Sequence, residues 1–135
     1  MAFLSWTKAF SVNIAKMDEQ HETLFSKINE LHAAISHGKD RHVIGEILNG
    51  VANYTMTHFA SEEDLMALHQ YPGLATHRLE HQALAQKVRD FQEKYKAGSV
   101  TLSMDVMKFL QDWLSHHING SDKNYGAFLN SKGVS

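Results

Sequence analysis

The sequence contains no cysteine and a single proline, and both absences restrict what the chain can be. Without cysteine, the chain cannot form disulfides, thiolate-bound zinc sites, iron–sulfur clusters or a cysteine nucleophile. Any metal must therefore be bound through nitrogen and oxygen atoms. Because Pro72 is the only proline and the glycines gather between apolar segments, long helices can run without interruption.

The sequence also lacks a basic stripe and a long apolar run. Its formal net charge is -2 at pH 7 and its charges are interspersed, which argues against nucleic acid as a partner. The first ten residues do not form a signal peptide, and no stretch approaches the roughly 18 apolar residues of a membrane span. We therefore expect a soluble, cytoplasmic protein with no membrane span.

Histidine, by contrast, is abundant, with 10 residues distributed along a chain of 135. This is several times what a chain of this length would be expected to contain, and the histidines are not clustered as a tag. The hydrophobic fraction of 43% is enough to bury a substantial core. We expect one domain over residues 1–135, with no internal repeat or long linker.

Apolar residues recur three and four positions apart through most of the chain, which predicts an all-α fold without strands. The first helix is predicted to run from a cap at Asp18 to Gly38. The second is predicted to begin near Asp40 and to reach about His69, before Pro72.

The third helix is predicted over residues 74–98, where Gly98 supplies the stop, and the fourth ends at His117. The fourth helix is predicted to start at one of three hydroxyl residues that favour N-caps: Ser99, Thr101 or Ser103.

A short C-terminal helix is predicted over residues 123–130, and residues 1–17 are expected to form an extended N-terminal arm. Four amphipathic helices with short loops bury their apolar stripes most simply as an antiparallel up-down-up-down four-helix bundle.

Five histidines and two carboxylates lie on or beside the inward faces of the four predicted helices: His21, His58, Glu62, His77, His81, His117 and Asp122. A single histidine on an apolar face is most often an ordinary core residue. Seven such groups would be costly to bury unpaired, and metal coordination would offset that cost. The sequence therefore indicates a metal site inside the bundle.

The spacing within this set supports a shared site. His58 and Glu62 are one helical turn apart, as are His77 and His81, so each pair projects from one helix face. Asp122 follows His117 by five residues, which does not fit a regular helical turn. We interpret Gly120 and Ser121 as a break that turns the carboxylate back toward the histidine.

The order of these motifs resembles the hemerythrin family, whose ligand pattern is a lone histidine, HxxxE, HxxxH and HxxxxD. The corresponding segments are MDEQHETLF around His21, HFASEEDLM from His58, HRLEH from His77 and HINGSD from His117. The likeness therefore spans essentially the whole chain. The arm SVNIAKMDEQH resembles the bacterial branch of the family, although Thr7 stands where an acidic residue is expected.

The resemblance implies two non-haem iron ions joined by a bridging oxo or hydroxo group. It assigns His77, His81 and His117 to one iron and His21 and His58 to the other. Glu62 and Asp122 would bridge the two irons. If each iron is six-coordinate, the first is full and the second keeps one open position. That position would bind dioxygen reversibly, and small anions such as azide in the oxidised state.

Trp113, Leu114 and Ile118 match pocket-lining positions of the family and lie within a turn of His117. The resemblance implies that they exclude water from bound dioxygen, although ordinary core packing would place the same residues there.

Three functions are compatible with the sequence. The first is oxygen binding for storage, delivery or sensing, by a monomer that serves an unidentified oxygen-consuming recipient. The absence of an output segment slightly favours storage or delivery. The second is a di-iron enzyme acting on dioxygen, peroxide or nitric oxide. The third is structural zinc, which we rank last because seven donors exceed the four of a tetrahedral site.

The remaining polar residues are predicted to be solvated or to lie at helix ends. They are His32, His37, His42, His69, His116, Glu63, Asp64, Arg78 and Arg89. For Tyr125, a hydrogen bond near Asp122 and simple packing explain the sequence equally well.

Overall fold

A computed structural model describes residues 3–98 and 104–135 of the chain. Its long helices are α1 (Ala15–Ser36), α2 (Arg41–Leu68), α3 (Leu74–Lys96) and α4 (Met104–His117). A π-helical turn (Ile118–Asp122) then leads into the short helix α5 (Lys123–Ser131). Within the described ranges there is no strand, so the predicted all-α four-helix bundle with a short C-terminal helix is confirmed.

The predicted ends of α2 and α3 are confirmed. The Asp40 side chain accepts a hydrogen bond from the Val43 backbone N–H at 3.0 Å, which caps α2. His69 follows the last residue of α2, and Gly98 adopts a φ of 78° just beyond α3. The predicted starts of α4, at Ser99, Thr101 or Ser103, lie outside the described residues.

The predicted start of α1 is wrong, because α1 begins at Ala15 and not after a cap at Asp18. The Asp18 carboxylate instead accepts hydrogen bonds from the Ser11 hydroxyl at 2.5 Å and the Val12 backbone N–H at 2.8 Å. These bonds fasten the preceding segment, so that the N-terminal arm ends at Ile14 and is three residues shorter than predicted.

The arm is packed onto the bundle and belongs to its core. The Asn29 side chain pairs with both backbone groups of Leu4, accepting from its N–H at 2.7 Å and donating to its carbonyl at 2.8 Å. Further along, the Val12 backbone crosses α5 so closely that a Cβ on Gly126 would overlap the Val12 carbonyl oxygen. Glycine is therefore required at position 126.

The apolar core is built from the inward stripes of all four helices: Leu24, Phe25, Ile28, Leu31, Leu48, Val51, Met66, Leu84, Val88, Met107, Leu110 and Leu114. Other apolar residues of the same helices are only half-buried: Ile35, Ile44, Ile47, Leu65 and Phe91. Among the described helices, none combines the length and the hydropathy needed to cross a membrane.

Candidate metal centre

The structure brings all seven predicted ligand side chains together in the interior of the bundle. None of them is more than 6% exposed. Two groups have their ligand atoms within 4.8 Å of one another, and Glu62 belongs to both: Glu62, His77, His81, His117 and Asp122; His21, His58 and Glu62. We call these the three-histidine group and the two-histidine group.

Regular helical periodicity positions four of the seven side chains. On α2, His58 Nε2 lies 3.1 Å from Glu62 Oε1, one turn further along the helix. On α3, the rings of His77 and His81 meet edge to face with their centroids 4.5 Å apart. Both HxxxE and HxxxH pairs therefore point inward, as their spacing predicted.

Asp122 is positioned by a π-helical turn, and the predicted break at Gly120 is wrong. His117 and Lys123, which flank this turn, both have right-handed helical dihedral angles, so the chain keeps winding through it. Hydrogen bonds in a π-helix join residues five apart, which places such residues on one face. The five-residue spacing of His117 and Asp122 fits this wider turn, and no left-handed glycine is used, since Gly120 does not have a positive φ.

The Asp122 carboxylate lies between the two groups. One oxygen, Oδ1, is 3.0 Å from His77 Nε2 and 3.2 Å from His117 Nε2. The other oxygen, Oδ2, is 3.2 Å from His21 Nε2 on the opposite side. Each oxygen therefore faces a different set of imidazoles.

The Glu62 carboxylate occupies a similar position. Its Oε1 is 3.1 Å from His58 Nε2 and 3.3 Å from His81 Nε2, so this oxygen approaches one histidine of each group. Its Oε2 is 3.8 Å from His21 Nε2. Together, the two carboxylates connect the three-histidine group with the two-histidine group.

Most polar atoms at the centre lack hydrogen-bond partners among the described residues, which is the pattern expected of metal ligands. Both oxygens of Glu62 and of Asp122 are buried, as are the Nε2 atoms of His21 and His77, and their close contacts with one another do not have hydrogen-bond geometry. Leaving so many buried polar groups unpaired would cost several kcal/mol. A bound cation would satisfy them together, so the residues present fit a metal centre.

A second contact supports this interpretation. His81 Nε2 and His117 Nε2 are 3.2 Å apart. The His81 Nδ1–H donates to the Glu63 carboxylate, which can only accept, so His81 Nε2 carries a lone pair. Glu80 Oε2 lies 3.3 Å from His117 Nδ1, without hydrogen-bond geometry. Two lone pairs at this distance repel unless a proton or a metal ion lies between them, and a metal ion could be bound by both nitrogens.

The electrostatics also require positive charge at the centre. Burial and the Asp122 charge raise the pKa of Glu62, but His58 and His81 outweigh them and hold it at about 2. Burial likewise raises the pKa of Asp122, but its histidine neighbours, His117 first, hold it well below the usual range. Both carboxylates are therefore ionised. Burial lowers the pKa of His21 and of His117, but their carboxylate neighbours, Asp122 first, raise it overall, so either protonated imidazoles or metal cations would balance the two buried negative charges.

Three residues contact the outer nitrogens of ligand histidines, a role that was not predicted for them from the sequence: Gln20, Glu63 and Glu80. Gln20 Oε1 lies 2.6 Å from His58 Nδ1, and Gln20 Nε2 donates to the Ser61 hydroxyl, so the amide oxygen accepts from the imidazole. Glu63, which was predicted to be solvated, accepts from His81 Nδ1 at 2.8 Å.

Arg78, also predicted to be solvated, donates from Nε to the other oxygen of Glu63 at 2.8 Å. Glu80 Oε2 is buried, has no hydrogen-bond partner within residues 3–98 and 104–135, and lies 3.3 Å from His117 Nδ1. One feature of the sequence could have indicated these supporting residues. Gln20, Glu63 and Glu80 are each adjacent in sequence to a predicted ligand.

Apolar and aromatic side chains enclose the centre. The Trp113 ring stacks on His117 with centroids 4.5 Å apart, and Phe59, which the sequence did not single out, stacks on His81 at 3.8 Å. Leu114 is 3% exposed and Ile118 is fully buried. Trp113 and Leu114 also line an apolar cavity in the bundle, which has about 20 Å³ of space for a water-sized molecule.

The other histidines do not contribute to the centre. His32 stacks on Phe3, and His42 pairs with Glu46 on the surface. His116 is exposed and its Nδ1 bonds to a backbone carbonyl of its own helix. His37 and His69 follow the last residues of α1 and α2, as expected for helix-end residues.

Tyr125 is fully buried, and its hydroxyl has no hydrogen-bond partner among the described residues. Burial raises the pKa of Tyr125 well above its usual value, and Glu62 and Asp122 raise it further. The phenol therefore stays protonated beside the carboxylates.

Comparison with known proteins gives consistent matches over nearly the whole chain. A family model described as the hemerythrin HHE cation binding domain matches residues 12–129. The chain is 38% identical over 132 residues to the bacteriohemerythrin of Methylococcus capsulatus, which covers 97% of this chain and 100% of that protein.

More distant and structural matches agree. The chain is 30% identical over 120 residues to the myohemerythrin of Theromyzon tessulatum, which covers 89% of this chain and 88% of that protein. A crystal structure of wild-type hemerythrin aligns with a TM-score of 0.90 at 38% identity, over 93% of this chain and 97% of that chain.

Proposed function

The chain belongs to the hemerythrin family, and on that premise we propose that its seven buried ligands hold two iron ions that bind dioxygen reversibly. Within this family, dioxygen binds at a non-haem di-iron site. The relatives that the chain matches are hemerythrins, and oxygen binding without turnover is the function that its site supports best.

One observation carries the proposal. The four carboxylate oxygens of Glu62 and Asp122 are buried, have no hydrogen-bond partner in the part of the chain that the structure describes, and lie between two groups of imidazoles. Carboxylates that face both groups can bridge a pair of ions and balance their charge. One ion would then have three histidines and the other two, so that the coordination position left for dioxygen belongs to the two-histidine group.

The protein would bind the iron ions and shield them from water and reductants. When bound, a pair of ferrous ions supplies two electrons to dioxygen and recovers them on release. Leu114, Trp113 and Ile118 exclude water and reductants from this reaction, because an enclosed apolar pocket suppresses proton leakage and side reactions. The Tyr125 phenol holds its proton, so it is not positioned as a base.

The enzymatic alternative is less well supported. Pockets for drug-sized ligands are about 300–1,000 Å³. The apolar cavity lined by Leu114 and Trp113 has about 20 Å³ of space for a water-sized molecule, which suits a diatomic ligand and not an organic substrate. A second pocket of about 490 Å³ is lined in part by His117 and Trp113 but is open to solvent, and the optical experiment below distinguishes the two functions. Structural zinc is disfavoured because seven converging donors exceed the four of a tetrahedral zinc site.

The deciding experiment is optical. The protein is loaded anaerobically with ferrous iron, its absorption spectrum is recorded, and air is admitted and then removed over several cycles. We expect about two irons per chain and a colour that appears and disappears with oxygen. Irreversible oxidation on the first exposure would favour an enzyme, and a colourless protein that retains zinc and no iron would refute the proposal.

Several finer predictions from the sequence accompany this function. They are the bridging oxo or hydroxo group, azide binding, a monomeric state, a single domain over residues 1–135, a cytoplasmic location and an oxygen-consuming recipient. Each of these remains a prediction, to be tested by measurements on the metal centre, the molecular mass in solution and the cellular location.

A further inference from the structure

The residues behind the ligand histidines follow a regular pattern around the bundle. On three successive helices, a polar residue adjacent in sequence to a ligand reaches across to a ligand on the next helix: Gln20 of α1 to His58, Glu63 of α2 to His81, and Glu80 of α3 to His117. The helices α1, α2 and α3 therefore each present ligands to the centre and also support one ligand of the next helix.

The pattern distributes charge unevenly between the two groups of ligands. Both carboxylates, Glu63 and Glu80, stand behind histidines of the three-histidine group. In the two-histidine group, His58 is backed by the neutral amide of Gln20. His21 Nδ1 is buried without a hydrogen-bond partner among the described residues.

A carboxylate behind a metal-binding histidine fixes the ring tautomer and raises the basicity of the coordinating nitrogen. We infer that Glu63 and Glu80 are positioning residues that make the three-histidine group the tighter of the two iron sites. The inference rests on the di-iron function proposed above, and it adds that the two irons differ in lability. The iron bound by His21 and His58 is the one that exchanges.

The two carboxylates are not equivalent. Glu63 accepts from His81 at 2.8 Å and is itself held by Arg78, with its side chain 20% exposed. Glu80 is 40% exposed and approaches His117 only to 3.3 Å. A stronger and less hydrated contact has the greater effect on the ligand, so we expect Glu63 to matter more than Glu80.

The test follows iron release to an excess of a ferrous-iron chelator under anaerobic conditions, after the wild type has been shown to bind two irons. We expect two phases of one iron each. Because loss of such a support usually weakens metal binding about 10- to 100-fold, Glu63→Gln should accelerate the slow phase by a factor in that range. The fast phase should be unchanged, and Glu80→Gln should act in the same direction with a smaller factor.

A reciprocal variant tests the same inference without weakening the site. Gln20→Glu places a carboxylate behind His58 and should slow the fast phase, while leaving the slow phase unchanged. Asp64→Asn is the matched control, because Asp64 is an exposed neighbour of Glu63 and its loss removes the same charge. Circular dichroism and thermal unfolding of the iron-free variants report any general loss of structure, which would not act on one phase alone.

The outcomes separate the inference from the function on which it rests. Fewer than two irons in the wild type would overturn both. Two irons released in a single phase, or a slow phase that Glu63→Gln leaves unchanged, would overturn only the inference. If Glu63→Gln fails to fold, a fast phase that does not respond to Gln20→Glu would likewise overturn the inference alone.

Discussion

Leu114 offers the clearest test of how the protein protects its oxygenated state. Its side chain is 3% exposed and precedes His117 by three residues on α4, so the two project from nearly the same face. The apolar cavity that it lines has about 20 Å³ of space for a water-sized molecule. A single water needs at least roughly 10–15 Å³ on this measure, so the cavity is near the size of one molecule.

Leu114→Ala removes three buried carbon atoms. At about 0.8 kcal/mol for each, the lost transfer free energy is roughly 2.4 kcal/mol. The enlarged cavity adds to this cost, and buried Leu→Ala changes typically reach about 3–5 kcal/mol in all. We expect the unfolding temperature of the iron-free protein to fall by about 10–20 °C, while the ligands keep their positions and two irons still bind.

The assay compares the decay of the oxygenated absorption spectrum in wild type and Leu114→Ala at equal iron content and pH. The variant should autoxidise faster, because water and anions reach the centre more easily. Leu110→Ala is the matched control, since Leu110 is 6% exposed and lines the same cavity one turn further from His117. Equal lifetimes for all three proteins would refute the shielding role of Leu114.

Other predictions follow from the described contacts. Asp122→Asn should reduce the iron content below two per chain by elemental analysis, because its oxygens face both histidine groups; two retained irons would contradict bridging. Azide should bind the oxidised protein once per iron pair, and a titration with two equivalent sites would argue against the unequal histidine distribution. His116→Ala should keep its iron while His117→Ala loses it, and the reverse result would overturn the register of α4. Gly126→Ala should destabilise the protein by about 1–3 kcal/mol in chemical unfolding, since its Cβ would overlap the Val12 carbonyl oxygen, and an unchanged midpoint would contradict that close packing.

Most of the fold follows from periodicity and a few terminal signals. The caps at Asp40 and Gly98 were predictable because each acts within its own helix and needs no tertiary contact. Asp18 carries the same type of signal as Asp40, but it bonds to the arm at Ser11 and Val12. Local sequence does not distinguish an aspartate that caps a helix from one that bonds to a distant segment. The predicted start of α1 at Asp18 was wrong for this reason.

The ligand pairs on α2 and α3 were predictable for a similar reason, since a spacing of four residues fixes two side chains on one helix face. The support of His81 by Glu63 was not, because it depends on the rotation of α2 relative to α3. From α2 alone, Glu63 is one more charged residue beside Glu62. Its role becomes visible only when the neighbouring helix is in place.

The π-helical turn at Ile118–Asp122 also determines which residues of α5 face the core, in addition to positioning the Asp122 carboxylate. A π turn is a rare form of helix that often occurs at functional sites. If the same residues wound as regular α-helix, α4 and α5 would join into one continuous helix. The residues beyond the turn would then be rotated by about 100° relative to α4, and Asp122, Tyr125 and Leu129 would leave the interior together. The irregular turn therefore keeps two requirements compatible, the inward carboxylate at its own end and the apolar face of the helix that follows.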